Sequence, residues 1–175
     1  MGGSAADEER RDTGMKTAVV CYSMNGNTAL VAEKLAAGIG ADLIRISPEK
    51  AYPDKGIRKY LWGGKAAVMA DTPKLEPYTF DPDRYEQVVF GFPVWASNVA
   101  PPVRTFVKEN KEALSEKRIA AFACQGGSGG EKAFRKLLEC LGRDSLAASM
   151  ILNDPKDRPK AENDRAIEDF TVKLL

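Results

Sequence analysis

Ser23, Asn25, Gly26, Asn27 and Thr28 stand between an apolar run and a patterned helix, with no Lys or Arg among them. Hydroxyls, amides and a glycine at a helix start can hold an anion without a cation. The first backbone N–H groups point out of the helix end, and its dipole favours negative charge there. Gly26 lets the backbone come close. Ser23 and Thr28 offer hydroxyls, Asn25 and Asn27 offer amides, and Met24 belongs to the same loop. The missing Lys argues against a triphosphate loop of the G-x-x-x-x-G-K-[ST] kind. The same residue types are also ordinary helix caps. An anion cradle and a plain capped helix start both account for the stretch.

Two further stretches carry candidate ligand contacts. The first is Pro93, Val94, Trp95 and Ala96, at the end of another apolar run. A Trp at the exposed end of a strand needs cover. A flat aromatic ligand stacking on it would supply that cover, and so would the chain segment 47–85 packing over it. The second is Cys124, Gln125, Gly126 and Gly127, which open "CQGGSGG". Gly126, Gly127, Gly129 and Gly130 would let backbone amides meet a ligand unobstructed. They would equally serve a flexible strand-to-helix turn. Cys124 is placed either to touch a ligand or to act as a small buried apolar residue.

Other chemistry is excluded by what the chain lacks. There is no His among 175 residues, so Ser–His or Cys–His nucleophiles and His metal sites do not arise. Three widely spaced cysteines, Cys21, Cys124 and Cys140, fit reduced thiols better than a disulfide frame or a zinc site. Cys21 and Cys140 read as core. The net charge of +1 removes the simplest case for nucleic acid as partner. No apolar stretch approaches the roughly 20 residues of a membrane span. A cytoplasmic protein is expected. Whatever chemistry occurs here must use other groups or a cofactor.

The elements that position these loops are legible as an alternation. "TAVVCY" (17–22) is apolar throughout, as in a strand buried on both faces. A helix follows over about 28–39, with Val31, Leu35 and Ile39 on one face and Gly38 and Gly40 at its end. "DLIRIS" (42–47) is an edge strand, "QVVFGF" (87–92) a third, "RIAAFAC" (118–124) a fourth and "LAASMIL" (146–152) a fifth. Pro101 and Pro102 open a helix carrying Val103, Phe106 and Val107. Phe134, Leu137, Leu138 and Leu141 mark the next, stopped by Gly142. A last helix starts at about 161 and carries Ile167, Phe170 and Leu174. Such alternation implies right-handed crossovers and a five-stranded parallel sheet between two helical layers. Residues 1–14 read as a solvated tail, either a native extension or an expression leftover, and 15–175 as one domain. Within 47–85 a helix is expected near 54–70, then an irregular arm, "DTPKLEPYTFD". Tyr52, Tyr60, Trp62 and Tyr78 of this segment form either a pocket wall or a satellite core.

Taken in order, "YSMNGNTALVAEKLA", "VVFGFPVWASNVAPPVRTFV" and "AFACQGGSGGEKAFRKL" resemble the flavodoxin-like FMN-binding flavoproteins. The resemblance runs from Met15 onward. It implies the doubly wound α/β fold with strand order 2-1-3-4-5 and FMN at the switch point. It further implies that Ser23, Gly26 and Thr28 belong to the phosphate pattern. Pro93 to Ala96 would border one side of the isoalloxazine ring, and Cys124 to Gly127 the other. The function it implies is an FMN-dependent oxidoreductase, with NAD(P)H-dependent reduction of a quinone or similar small acceptor. The alternative is an electron carrier between redox proteins, and a third class is a binding module that lost its flavin. Residues 1–14 hold four acids and two bases, which leaves the rest of the chain at +3, unlike acidic carriers. The expected partners are a small-molecule electron donor and acceptor or a redox protein. A homodimer is allowed, and neither nucleic acid nor a membrane span is expected.

Overall fold

Continuous apolar runs become the central strands, and every one of them ends at the same edge of the sheet. The structure, a computed structural model, describes residues 16–53 and 70–175. The expected tail and nearly all of the helix expected near 54–70, with Tyr60 and Trp62, lie outside the described residues. The order is β1 (Thr17–Cys21), α1 (Asn27–Ile39), β2 (Asp42–Arg45), a 3-10 turn (Pro82–Arg84), β3 (Gln87–Pro93), α2 (Pro101–Leu114), β4 (Arg118–Gln125), α3 (Gly130–Leu141), β5 (Ser149–Asn153) and α4 (Ala161–Leu174). The sheet is five-stranded in the order β2-β1-β3-β4-β5, and every pairing is parallel. The alternation in sequence therefore gives the doubly wound topology expected.

Side-chain alternation divides the core in two. Val20, Phe90, Phe92 and Ala121 face α2 and α3, where Val103, Phe106, Phe134 and Leu137 meet them. Val19, Cys21, Val89 and Phe122 face α1 and α4, with Val31, Leu35, Ile167 and Phe170. Each fully buried side chain of this size contributes roughly 1.5–3 kcal/mol. Gly91 is a requirement of this packing, because a Cβ there would lie 2.1 Å from the Phe122 ring. At the opposite edge from the loops, Gln87 is fully buried and satisfied: its Nε2 donates to Thr17 Oγ1 (2.9 Å) and to the Leu174 carbonyl (3.0 Å).

Strand ends differ by a few residues from the sequence reading. Regular β5 begins at Ser149, not 146, although Ala147 N already donates to Ile119 O at 2.8 Å. β2 stops at Arg45. Beyond it the chain pairs locally with the arm, Glu49 N to Lys74 O and Glu76 N to Ser47 O, both 2.8 Å. The arm then divides the expected aromatic group. Tyr78 and Phe80 pack on Phe106 at 5.2 and 5.1 Å between ring centroids, a satellite core outside α2. Tyr52 remains at the loop edge. No helix among the described residues is long and apolar enough to cross a membrane.

Candidate functional site

The first loop is built by the exit of β1. Tyr22 N donates to Gly91 O at 3.1 Å, one residue beyond the strand, and the chain then turns into α1. Ser23 acts as a cap from outside the helix: its hydroxyl accepts from Gly26 N (3.2 Å) and Ala29 N (3.1 Å). Both bonds use Ser23 as acceptor, so its proton is left to donate. Gly26 takes φ +96°, a left-handed conformation that glycine alone adopts without strain. The first turn of α1 holds no acid, unlike that of α4 with Glu162 and Asp164. A helix start of this kind suits an anion.

Asn27 and Thr28, read from the sequence as offering an amide and a hydroxyl, sit deeper than the other polar residues of the loop. They are buried, at 2% and 1% exposure. The Asn27 side chain is committed elsewhere. Its Oδ1 accepts from Lys156 N at 2.8 Å and Asp157 N at 3.4 Å. Its Nδ2 donates to Asp157 Oδ2 at 2.9 Å and Asn25 Oδ1 at 3.2 Å. Asn27 thus ties the loop to the β5–α4 connection. The Thr28 hydroxyl is hydrogen-bonded to the Cys124 thiol. The bond favours the thiolate, so the Thr28 hydroxyl is its donor, and it would reach an anion by turning from the sulfur.

The second loop is a tight turn. Val94 N donates to Cys124 O at 2.8 Å, and Trp95 and Asn98 exchange two backbone bonds of 3.3 and 2.9 Å. Between them Ala96 (φ 48°) and Ser97 (φ 59°) are both left-handed, the geometry of a primed turn usually taken by Asn-Gly. The indole of Trp95 is not bare at the strand end. It is 9% exposed and meets the edges of Tyr22 (5.6 Å, 84°) and Tyr52 (5.3 Å, 83°). Packing under the 47–85 segment, one of the two readings open from the sequence, is what these contacts show. Met24 and Val94 lean on the same cluster.

In the third loop Gln125 braces its own turn: Oε1 accepts from Gly130 N at 2.8 Å and Nε2 donates to Gly127 O at 3.2 Å. Gly127 has nothing within 4 Å of a built Cβ, so its backbone borders open space. Gly129 abuts the second loop, since a Cβ there would lie 2.7 Å from Ser97 Oγ. Cys124 is buried, and burial pushes its thiol up to about 12, against the smaller opposing effect of the Thr28 bond. It is a packed residue without nucleophilic character.

The three loops therefore lie side by side, as the topology requires. One further element joins them that the sequence reading passed over. Lys156 Nζ donates to Asn25 O at 3.0 Å, and Arg158 donates to Gly126 O at 2.7 Å while pairing with Asp154. The signal was available: "NDPKDRPK" follows the fifth strand, so it starts at the same sheet edge as the other three loops. Beside the first loop a cavity of about 380 Å³ is lined by Tyr22, Ser23, Met24, Ser47, Pro48, Ala51 and Tyr52. Burial raises the Tyr22 phenol well above its usual range and Tyr52 to about 12, so both are neutral walls. The residues present fit a phosphate-bearing planar cofactor: a cradle of dipoles at α1, open glycine backbone at β4, and aromatic walls at one side.

The comparisons agree with this geometry. A family model described as flavodoxin matches residues 16–164. A flavoprotein from Lactobacillus acidophilus, solved in complex with FMN, superposes with a TM-score of 0.67 at 21% identity, over 87% of this chain and 99% of that one. A flavoprotein from Bacteroides eggerthii gives 0.68 at 24% identity, over 91% and 99%. The two-electron reduced flavodoxin of Megasphaera elsdenii gives 0.55 at 15%, over 90% and 97%. No curated protein matches the chain. With the family model covering most of its length, the five-stranded sheet in flavodoxin order and the loops assembled at the switch point, the chain belongs to the flavodoxin family.

Proposed function

We propose that the protein is an FMN-dependent oxidoreductase that accepts a hydride from NADH or NADPH and reduces a quinone or similar flat acceptor. When bound, FMN would supply the redox chemistry, carrying the hydride's two electrons and proton to the acceptor, with a second proton from solvent completing the reduction to the quinol. The chain's own residues bind and orient. The α1 start, with the hydroxyls of Ser23 and Thr28, holds the phosphate. The backbone of Gly126 and Gly127 and the turn at Trp95–Asn98 border the ring.

The observation that carries the reading is the cavity of about 380 Å³ with Tyr22, Met24 and Tyr52 in its walls. It adjoins the phosphate loop, and an aromatic-walled space of that size suits a small planar acceptor. The charge of the chain also fits, since a near-neutral protein lacks the acidic field that steers a carrier to a basic reductase. The test is a rapid mix of the FMN-loaded protein with NADH or NADPH. Flavin bleaching within seconds, reversed by a quinone, supports the enzyme. If neither nucleotide bleaches the flavin and a reductase protein does, the electron-carrier reading replaces it.

A further inference from the structure

We infer that Lys156, on the loop after β5, carries the counter-charge for the flavin phosphate at the start of α1. This rests on the FMN reading above and adds a cation that the phosphate loop itself does not contain. The lysine is delivered by a fixed backbone. Its N–H is held by Asn27 Oδ1 at 2.8 Å, and the next residue, Asp157, accepts from Asn27 Nδ2 at 2.9 Å. From that anchor the side chain runs back across Gly26. Its Nζ, Cδ and Cε lie 2.9, 3.2 and 3.4 Å from where a Gly26 Cβ would stand. A Cβ at Gly26 would make the tip of the lysine shift. The ammonium ends on the Asn25 carbonyl at 3.0 Å, which uses one of its three donors.

Among the described residues no ion pair neutralises its charge. The ion pairs beside it join Arg158 to Asp154 and Lys34 to Asp164, and the carboxylate of Asp157 faces Asn27. Lys156 thus places a positive charge within one residue of the N–H groups that open α1. A phosphate held there would gain a charge-assisted partner, whereas riboflavin, with the same ring and no phosphate, would not. Lys156 is accordingly a specificity-determining residue for the phosphorylated flavin.

The experiment titrates apo-protein with FMN and with riboflavin, for wild type and for Lys156→Met, Lys156→Arg and Lys160→Met. Met keeps the apolar stem over Gly26 and removes the charge together with the bond to Asn25 O. The expected result is that Lys156→Met weakens FMN binding by roughly ten- to a hundredfold and leaves riboflavin binding unchanged. Its FMN affinity should also lose part of the wild type's salt dependence. Lys156→Arg should retain most of the affinity, and Lys160→Met all of it. An equal fall for both flavins would show that Lys156 acts only by holding the loop, and no fall for FMN would remove it from the site; either overturns the inference. If wild-type apo-protein binds neither flavin, the FMN reading itself fails, a distinguishable outcome.

Discussion

Asn27 Nδ2 donates to Asp157 Oδ2 at 2.9 Å across 130 residues of sequence. The bond closes the cofactor loop onto the last strand-to-helix connection, and the partner bond to Lys156 N makes it two-sided. Asn27→Ala should therefore destabilise the fold by about 0.5–1.5 kcal/mol, because part-buried backbone donors lose their acceptor. It should also loosen FMN by releasing Lys156. Asn27→Asp should do more to FMN, since it sets a carboxylate beside Asp157 and near the phosphate. Urea unfolding and flavin titration of the two variants measure both effects.

Thr28→Val should weaken FMN roughly ten- to a hundredfold, the scale of a lost hydrogen bond to a charged group. The hydroxyl is shared with Cys124, so Cys124→Ala is the necessary companion. It removes the thiol and leaves the hydroxyl to the phosphate. FMN affinity should fall in the first variant and stay within about threefold of wild type in the second. Equal affinities for wild type and Thr28→Val would mean that Thr28 serves Cys124 alone.

The cysteines should differ in reactivity. Burial pushes Cys21 up to about 11 and Cys124 to about 12, while Cys140 is half-exposed. Brief alkylation of the native protein near pH 8, read by peptide mass spectrometry, should mark Cys140 first. The same shifts fix a direction for stability. Unfolded thiols ionise near 9.0, whereas the folded ones hold their protons to about 11 and 12. Between those values the native state binds more protons, so stability should fall as pH rises above about 9. The neutral phenols of Tyr22 and Tyr52 act in the same sense.

Ala96 is exposed at φ 48° in the turn after β3. A left-handed non-glycine residue costs about 1–2 kcal/mol, and glycine repays part of that through its own entropy loss. Ala96→Gly should therefore raise stability by about 0.5–1 kcal/mol, seen as a higher urea midpoint with an unchanged slope. The proposed function sets this turn beside the ring, so the flavin midpoint potential is the second readout.

Trp95 should report the flavin. In a Trp62→Phe background the remaining indole is Trp95, packed on Tyr22 and Tyr52. FMN binding should quench a large part of its emission. Undiminished quenching in a Trp95→Phe variant that keeps Trp62 would place the flavin elsewhere.

Strands, helix faces and the positions of the three loops were legible because they depend on local patterns, whereas the strand order came with the resemblance to the flavodoxin-like flavoproteins. Continuous apolar runs mark doubly covered strands, and Pro101 or Gly142 punctuate helices by backbone geometry alone. The roles of single polar side chains were less legible. Asn27 looks like a free donor in sequence and is a tertiary clamp, because its partners come from residues 156 and 157. Trp95 looks exposed because Tyr52, which covers it, arrives from beyond β2. Lys156 was passed over because its charge reaches the phosphate loop only through the parallel order that sets β5 at the sheet's other edge. In each case the deciding contact spans a separation that no periodicity encodes.

The tie between Asn27 and the loop after β5 also has a meaning for biosynthesis. On the ribosome α1 emerges early, but its partner at Asp157 follows 130 residues later. At about 5–20 residues per second the delay is roughly 7–26 s. Through that interval the nascent chain holds an N-terminal phosphate loop without its clamp or its lysine. Flavin capture would then be a late event, and retention of FMN a sign that the loop after β5 has been made.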